Sequence, residues 1–127
     1  MKVLTIKQPW ATLIMSGLKR FEFRSWKTNY RGELLIHAGK SIDKEAMKRL
    51  AIYLPENLPI GKIIGKVSMV DCILLDKNLK EELLKENPDI YKNSQIGEFA
   101  WQVENIEAFD YPIEINGKLG LWNYTVN

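Results

Sequence analysis

The sequence points to an α+β fold: a small mixed or antiparallel β-barrel with helices packed on it. Six or seven stretches show the alternation or apolar runs of strands, against two or three with helical spacing. The helices do not interleave regularly with the strands, which argues against a doubly wound parallel sheet. No linker, repeat or low-complexity tract divides the 127 residues. That length suits one domain with a core large enough to need no staples. Residues 1–127 therefore read as a single domain.

In chain order, residues 2–6 alternate and form a short strand. Gln8-Pro9-Trp10 opens a helix, because Pro9 has no N–H to lose in a first turn. Trp10, Leu13, Ile14 and Leu18 recur at helical spacing, and Gly17 stops the helix. Residues 21–26 form a strand with Phe21, Phe23 and Ser25 on one face and Glu22, Arg24 and Trp26 on the other. A more apolar strand covers 32–38. Ser41 or Asp43 caps a helix running to Leu54, with Ala46, Leu50 and Leu54 inward, ended by Pro55 and Pro59. A long strand lies within 61–75, and an amphipathic helix or turn covers 77–85. Residues 99–103 and 109–115 read as two strands. Asn116-Gly117 is a strong hairpin signal, and residues 119–126 close the chain as a last strand.

Composition narrows the function. Hydrophobic residues make up 46% and charged residues 27%, which excludes disordered, collagen-like and disulfide-rich classes. One cysteine, Cys72, cannot form an internal disulfide, and one histidine, His37, cannot build a metal site alone. Zinc fingers and zinc deaminase centres are thereby excluded, and no metal or cofactor is expected. No apolar run approaches the ~20 residues of a membrane helix. Residues 1–6 are too short and too soon polar for a signal peptide. A cytoplasmic location with no membrane partner is the expectation. The oligomeric state stays open.

Charge is uneven. The first 40 residues carry eight Lys/Arg against two acids, and the remaining 87 carry ten against fourteen. A basic front on a near-neutral body is what an anion-binding face looks like, unless folding scatters these charges.

Several motifs fail on inspection. Ala38-Gly39-Lys40-Ser41 resembles the end of a P-loop, but that motif needs a glycine five positions before Gly39, where Leu34 stands. His37 lies in an apolar strand and reads as a hydrogen-bonded core or rim histidine. Cys72 has no adjacent Lys, Arg or His to lower its pKa and reads as a buried structural thiol.

One constellation survives. Residues 17–27 carry four cations, one acid and an indole. In an extended strand Glu22 and Arg24 point the same way with Trp26 beyond them, and Lys19 lies in the preceding turn. A carboxylate beside two cations stays ionised. It can accept from the exocyclic amine of cytosine. Trp26 could stack on a base while Arg24, Lys27 and Arg31 meet phosphates. The alternative is a surface strand with cross-strand salt bridges and an exposed Trp.

These residues also resemble a family. The runs Leu4-Thr5-Ile6-Lys7-Gln8-Pro9-Trp10-Ala11, Gly17-Leu18-Lys19-Arg20-Phe21-Glu22-Phe23-Arg24, Tyr30-Arg31-Gly32 and Ile36-His37-Ala38 look like the ASCH (activating signal cointegrator 1 homology) domain. Its hallmark G-x-K-x-x-E-x-R is met by Gly17, Lys19, Glu22 and Arg24. Trp101-Gln102-Val103-Glu104-Asn105 and Gly117-Lys118-Leu119-Gly120-Leu121-Trp122 are similar to its closing strands. The resemblance covers nearly the whole chain. It implies a PUA-like fold, a small β-barrel with flanking helices, whose cleft beside the first helix is lined by the motif. It also implies binding of RNA or other nucleic acid. One bacterial branch hydrolyses the acetyl amide of N4-acetylcytidine with a Lys, a Thr and a Glu, and some other members are reported as ribonucleases. Lys19 matches that lysine, but Glu22 stands at the threonine position, which tells against amidohydrolase activity. Glu81 or Glu82 are the candidates for its glutamate.

Three functions follow as expectations. The first is an RNA- or nucleic-acid-binding module. Lys7, Lys19, Arg24, Lys27, Arg31 and Lys40 meet phosphates, Gln8 lines the site, Trp10 and Trp26 supply aromatic surface, and Glu22 reads a base edge. The second is an enzyme acting on a modified nucleoside or on RNA, with Lys19 as base or nucleophile and Glu22 orienting substrate or shuttling a proton. The third is a domain that binds a nucleoside-like ligand without catalysis.

Overall fold

The computed structural model describes residues 1–125 of the chain. The strands are β1 (Lys2–Gln8), β2 (Phe21–Arg24), β3 (Gly32–Ile42), β4 (Lys62–Leu74), β5 (Phe99–Glu114) and β6 (Leu121–Asn123). The helices are α1 (Trp10–Met15), α2 (Lys44–Arg49), α3 (Lys77–Glu86) and α4 (Pro88–Tyr91), with a 3-10 turn over Ala51–Tyr53. The six strands form one mixed sheet in the order β2-β5-β4-β3-β1-β6. Only β1 and β3 run parallel. The α+β expectation is met, but the barrel is open, since no ladder joins β2 to β6 among the described residues.

The sheet owes its curvature to its longest pair. β4 and β5 change register three times, and each such irregularity adds local twist. Gly65 marks the tightest point. A Cβ there would lie 2.6 Å from the Glu107 carbonyl oxygen and 2.2 Å from Met15 Cε. Apolar residues from β1, β3, β4 and β5, including Ile6, Ile36, Val67 and the fully buried Trp101, form the main core with Ala11 and Ile14 of α1. A second cluster joins Leu13 and Phe21 to Ala46, Leu50, Leu83, Ile90 and Tyr91, so α2, α3 and α4 are held to one side of the sheet.

Several elements differ from expectation. Residues 99–103 and 109–115 belong to one strand, β5, because the exposed residues 104–108 stay extended and Asn105 absorbs the irregularity at φ 52°. Asn116-Gly117 makes no hairpin, because β6 pairs with β1 rather than with β5. Trp122 then drops beside Val3, Leu35 and Ile63, and that burial outweighs the local turn preference. β2 stops at Arg24, two residues early. The helix expected to reach Leu54 ends at Arg49. Asp43 is its cap, accepting from Ala46 N–H at 3.1 Å, while Ser41 lies in β3. Helix α4 was not expected; Asn87 caps it. The last strand is shorter than 119–126, and Val126 lies outside the described residues. No helix among the described residues is long and apolar enough to cross a membrane.

Candidate functional site

The Gly17-x-Lys19 spacing is a turn. Gly17 takes φ +84° after α1 and donates its N–H to the Ile14 carbonyl, while Lys19 N–H donates to the Leu13 carbonyl at 3.0 Å. This closure points Lys19 back along the helix. β2 then alternates, so Glu22 and Arg24 share one face with it. Lys19 Nζ donates to Glu22 Oε1 at 2.7 Å, and Arg24 Nη2 meets Glu22 Oε2 at 3.1 Å. Arg24 Nη2 also donates to the Thr5 carbonyl at 2.7 Å. The hallmark residues are thus a hydrogen-bonded chain, cation–carboxylate–cation.

Lys19 is only 3% exposed and Glu22 8%. The ammonium lies over the rings of Trp10 (5.5 Å) and Phe23 (5.1 Å). Burial pulls it below the ordinary lysine value, and Glu22 only partly offsets this. Burial alone would push the Glu22 carboxyl up. Lys19, Arg24 and the Phe23 N–H together outweigh it, so the carboxyl lies below its ordinary value. The two directions are compatible because Glu22 is held by two cations, whereas Lys19 is paired with one carboxylate, is repelled by Arg24 and gains only the least of these effects from Glu98.

A cleft of about 780 Å³ opens over this chain of charges. Lys7, Trp10, Lys19, Glu22, Arg24 and Lys40, all expected as site residues, line it. Lys7 and Lys40 are exposed and form no salt bridge among the described residues. Trp10 is fixed by its Nε1–H donating to Asp43 Oδ2 at 3.2 Å.

The structure does not bring four expected residues to the cleft. Gln8 is fully buried, its Nε2 donating to the Pro59 carbonyl and its Oε1 accepting from Thr12 N–H. Trp26 lies past the end of β2 and packs edge-on against Trp101 at 4.8 Å. Arg31 points elsewhere, donating to the Thr28 and Tyr30 carbonyls and meeting Asp71 at 3.4 Å. Lys27 is exposed outside the cleft lining. Glu81 and Glu82 lie exposed on α3, also away from the lining.

Other lining residues escaped the sequence reading. Asn93, Ser94 and Glu98 form one wall, and Glu98 is near enough to Lys19 for its charge to act there. Lys80 ties that wall down, its Nζ donating to the Tyr91, Lys92 and Ser94 carbonyls. Residues 116–120 form another wall and bring Lys118 to the cleft. His37 and Thr5 sit beneath it, and the Nε2–H of His37 donates to the Ile115 carbonyl at 2.7 Å. Cys72 is buried. No pattern in the chain signals these walls. They meet only because β6 docks on β1 and α4 folds against α3.

Among the described residues no three His, Cys, Asp or Glu converge as metal ligands. The arrangement offers a buried carboxylate acceptor, flanking cations, aromatic surface and a basic rim. It suits a planar ligand with an amine edge and attached phosphate.

Comparison with known proteins gives the family and the fold. The ASCH domain family model matches residues 4–112. Activating signal cointegrator 1 of Homo sapiens is 33% identical over 130 positions, covering 94% of this chain and 21% of that protein. The Mus musculus protein is 32% identical over the same share. The chain spans about a fifth of the length of these relatives. The crystal structure of ASCH from Zymomonas mobilis matches with a TM-score of 0.60 at 16% identity, over 89% of this chain and 72% of that one. That likeness is one of fold.

Proposed function

Because this chain belongs to the ASCH domain family, with its PUA-like fold, we propose that residues 1–127 act as one module whose cleft binds RNA through an unstacked base or strand end. The observation that carries this is the buried Lys19–Glu22 pair with the half-buried Arg24 beside it, at the base of a cleft with Lys7, Lys40 and Lys118 around it. Glu22 accepts from an exocyclic base amine, since its ionised carboxylate keeps lone pairs beyond those used by the two cations. Trp10 presents aromatic surface, and the three rim lysines meet phosphates.

The test is binding of short single-stranded RNA across a salt series. Affinity falls steeply with salt, and Lys7→Ala, Lys40→Ala and Lys118→Ala each reduce the salt slope by about 1. Lys27→Ala and Arg31→Ala leave it nearly unchanged. Salt-independent or undetectable binding to mixed RNA and DNA oligomers overturns the reading.

One observation favours a second reading, hydrolysis of an acylated nucleoside or of RNA. Burial lowers the Lys19 pKa within the cleft, as a general base requires. Glu22 would then orient substrate. Turnover of N4-acetylcytidine or RNA that is lost in Lys19→Ala would favour it over binding alone.

A further inference from the structure

Thr5 of β1 and His37 of β3 are register partners, and each holds one unused hydrogen-bonding capacity. The Nε2–H of His37 donates to the Ile115 carbonyl, which fixes the tautomer and leaves Nδ1 as a pure acceptor. His37 is 1% exposed, and Nδ1 is buried with no partner. A buried acceptor left unpaired costs free energy until a donor reaches it. Thr5 Oγ1 accepts from Trp122 Nε1–H at 3.0 Å, and its own proton has no acceptor among the described residues. Both residues line the cleft.

Gly117 lies over the pair. A Cβ there would fall 2.8 Å from Thr5 Oγ1 and 3.0 Å from His37 Nδ1. The two polar atoms therefore sit within 6 Å of each other, facing the same small volume, with only a glycine backbone above. Residues 116–120 make no backbone hydrogen bonds among the described residues, so this cover is held by packing rather than by a ladder.

We propose that Thr5 and His37 form a ribose-reading subsite. His37 Nδ1 accepts the proton of a ribose hydroxyl, and the Thr5 hydroxyl donates to that same oxygen, as residues 116–120 move outward. A hydroxyl group is donor and acceptor at once, which matches one free acceptor beside one free donor. The 2′-hydroxyl is the group that separates RNA from DNA. This rests on the RNA-binding reading, and it assigns the discrimination to the Thr5–His37 pair beside Arg24, whose guanidinium donates to the Thr5 carbonyl.

The experiment compares a single-stranded RNA with its 2′-deoxy counterpart, and cytidine with 2′-deoxycytidine, on wild type and on Thr5→Val and His37→Phe. The RNA is bound at least about fivefold tighter by wild type, the worth of two hydrogen bonds at the weaker end of their range. That ratio falls in each variant, which loses one of the two bonds. Thr5→Val is close in size but leaves the Trp122 indole N–H without its acceptor, so Thr5→Ser, which keeps the hydroxyl and retains the preference, is measured beside it together with the unfolding curve of each variant. Nitrogen NMR of His37 gives an independent reading, since the Nδ1 resonance moves upfield when cytidine binds and stays in place with 2′-deoxycytidine. Equal binding of RNA and DNA with no Nδ1 change overturns the subsite and leaves the RNA-binding reading standing. So does a preference undiminished in both Thr5→Val and His37→Phe, or an Nδ1 shift caused equally by both nucleosides. No binding of either polymer or either nucleoside overturns both.

Discussion

Glu22 and Arg24, two residues apart on β2, point to the same face and meet at 3.1 Å, while the other oxygen of Glu22 is held by Lys19 at 2.7 Å. One carboxylate therefore neutralises two cations in a place that water scarcely reaches. Its removal has consequences for both stability and binding.

Glu22→Gln leaves Lys19 and Arg24 close together without their counter-charge. Stability falls by about 3 kcal/mol at neutral pH, measured by denaturant unfolding. The folded pKa of Glu22 lies below its ordinary value, so the unfolded chain binds the proton first on acidification. Its stabilisation is complete above the ordinary carboxylate value and is lost as pH falls through the lower, folded one. The gap between wild type and Glu22→Gln therefore narrows through that window. A gap that stays constant with pH counts against this electrostatic account.

Lys19→Met keeps the stem and removes a charge that burial already penalises. The fold loses up to about 3 kcal/mol, because Glu22 loses one counter-charge and keeps Arg24, whereas RNA affinity drops several-fold because Glu22 is no longer held in place. Glu22 then keeps Arg24 alone, so its carboxyl titrates at higher pH than in wild type, by carbon NMR. The acid limb of the stability curve moves up with it.

Lys80→Met tests the cleft wall. Its ammonium holds the Tyr91, Lys92 and Ser94 carbonyls together beside Asn93 and Glu98. Without it, amide exchange in residues 92–98 accelerates and RNA affinity falls several-fold. Thermal stability drops by only about 1 kcal/mol, because water replaces the donor. Unchanged exchange in 92–98 would show that the wall stands without Lys80.

Gly65→Ala tests the sheet's tightest contact. The new methyl meets the Glu107 carbonyl oxygen and Met15 Cε at once. Met15 can swing aside, but the carbonyl belongs to the β4–β5 ladder. A loss of about 1–3 kcal/mol is expected in denaturant unfolding.

The hallmark residues were legible from the chain because their geometry is local. A glycine that reverses the helix end, a lysine two residues on and a two-residue alternation place Lys19, Glu22 and Arg24 together without distant help. The α+β class was legible for the same reason, since period and punctuation are local signals. Extending the alternation past Arg24 puts Trp26 with them, and the basic character of the segment adds Lys27 and Arg31 as phosphate contacts. β2 ends there, and Trp26 packs edge-on against Trp101 instead of continuing the strand.

Long-range pairing set the rest. Asn116-Gly117 carries a strong local turn signal, yet the burial of Trp122 against Val3 and Leu35 sends the last strand to β1 instead of back along β5. That choice lays residues 116–120 across the cleft, brings Lys118 to its rim and covers His37 and Thr5. Burying an indole outweighs a turn preference of a fraction of a kilocalorie, and no window of neighbouring residues contains that comparison. The charges at the base of the site are thus written in eight consecutive residues, while the wall over Thr5 and His37 comes from a pairing more than a hundred residues apart.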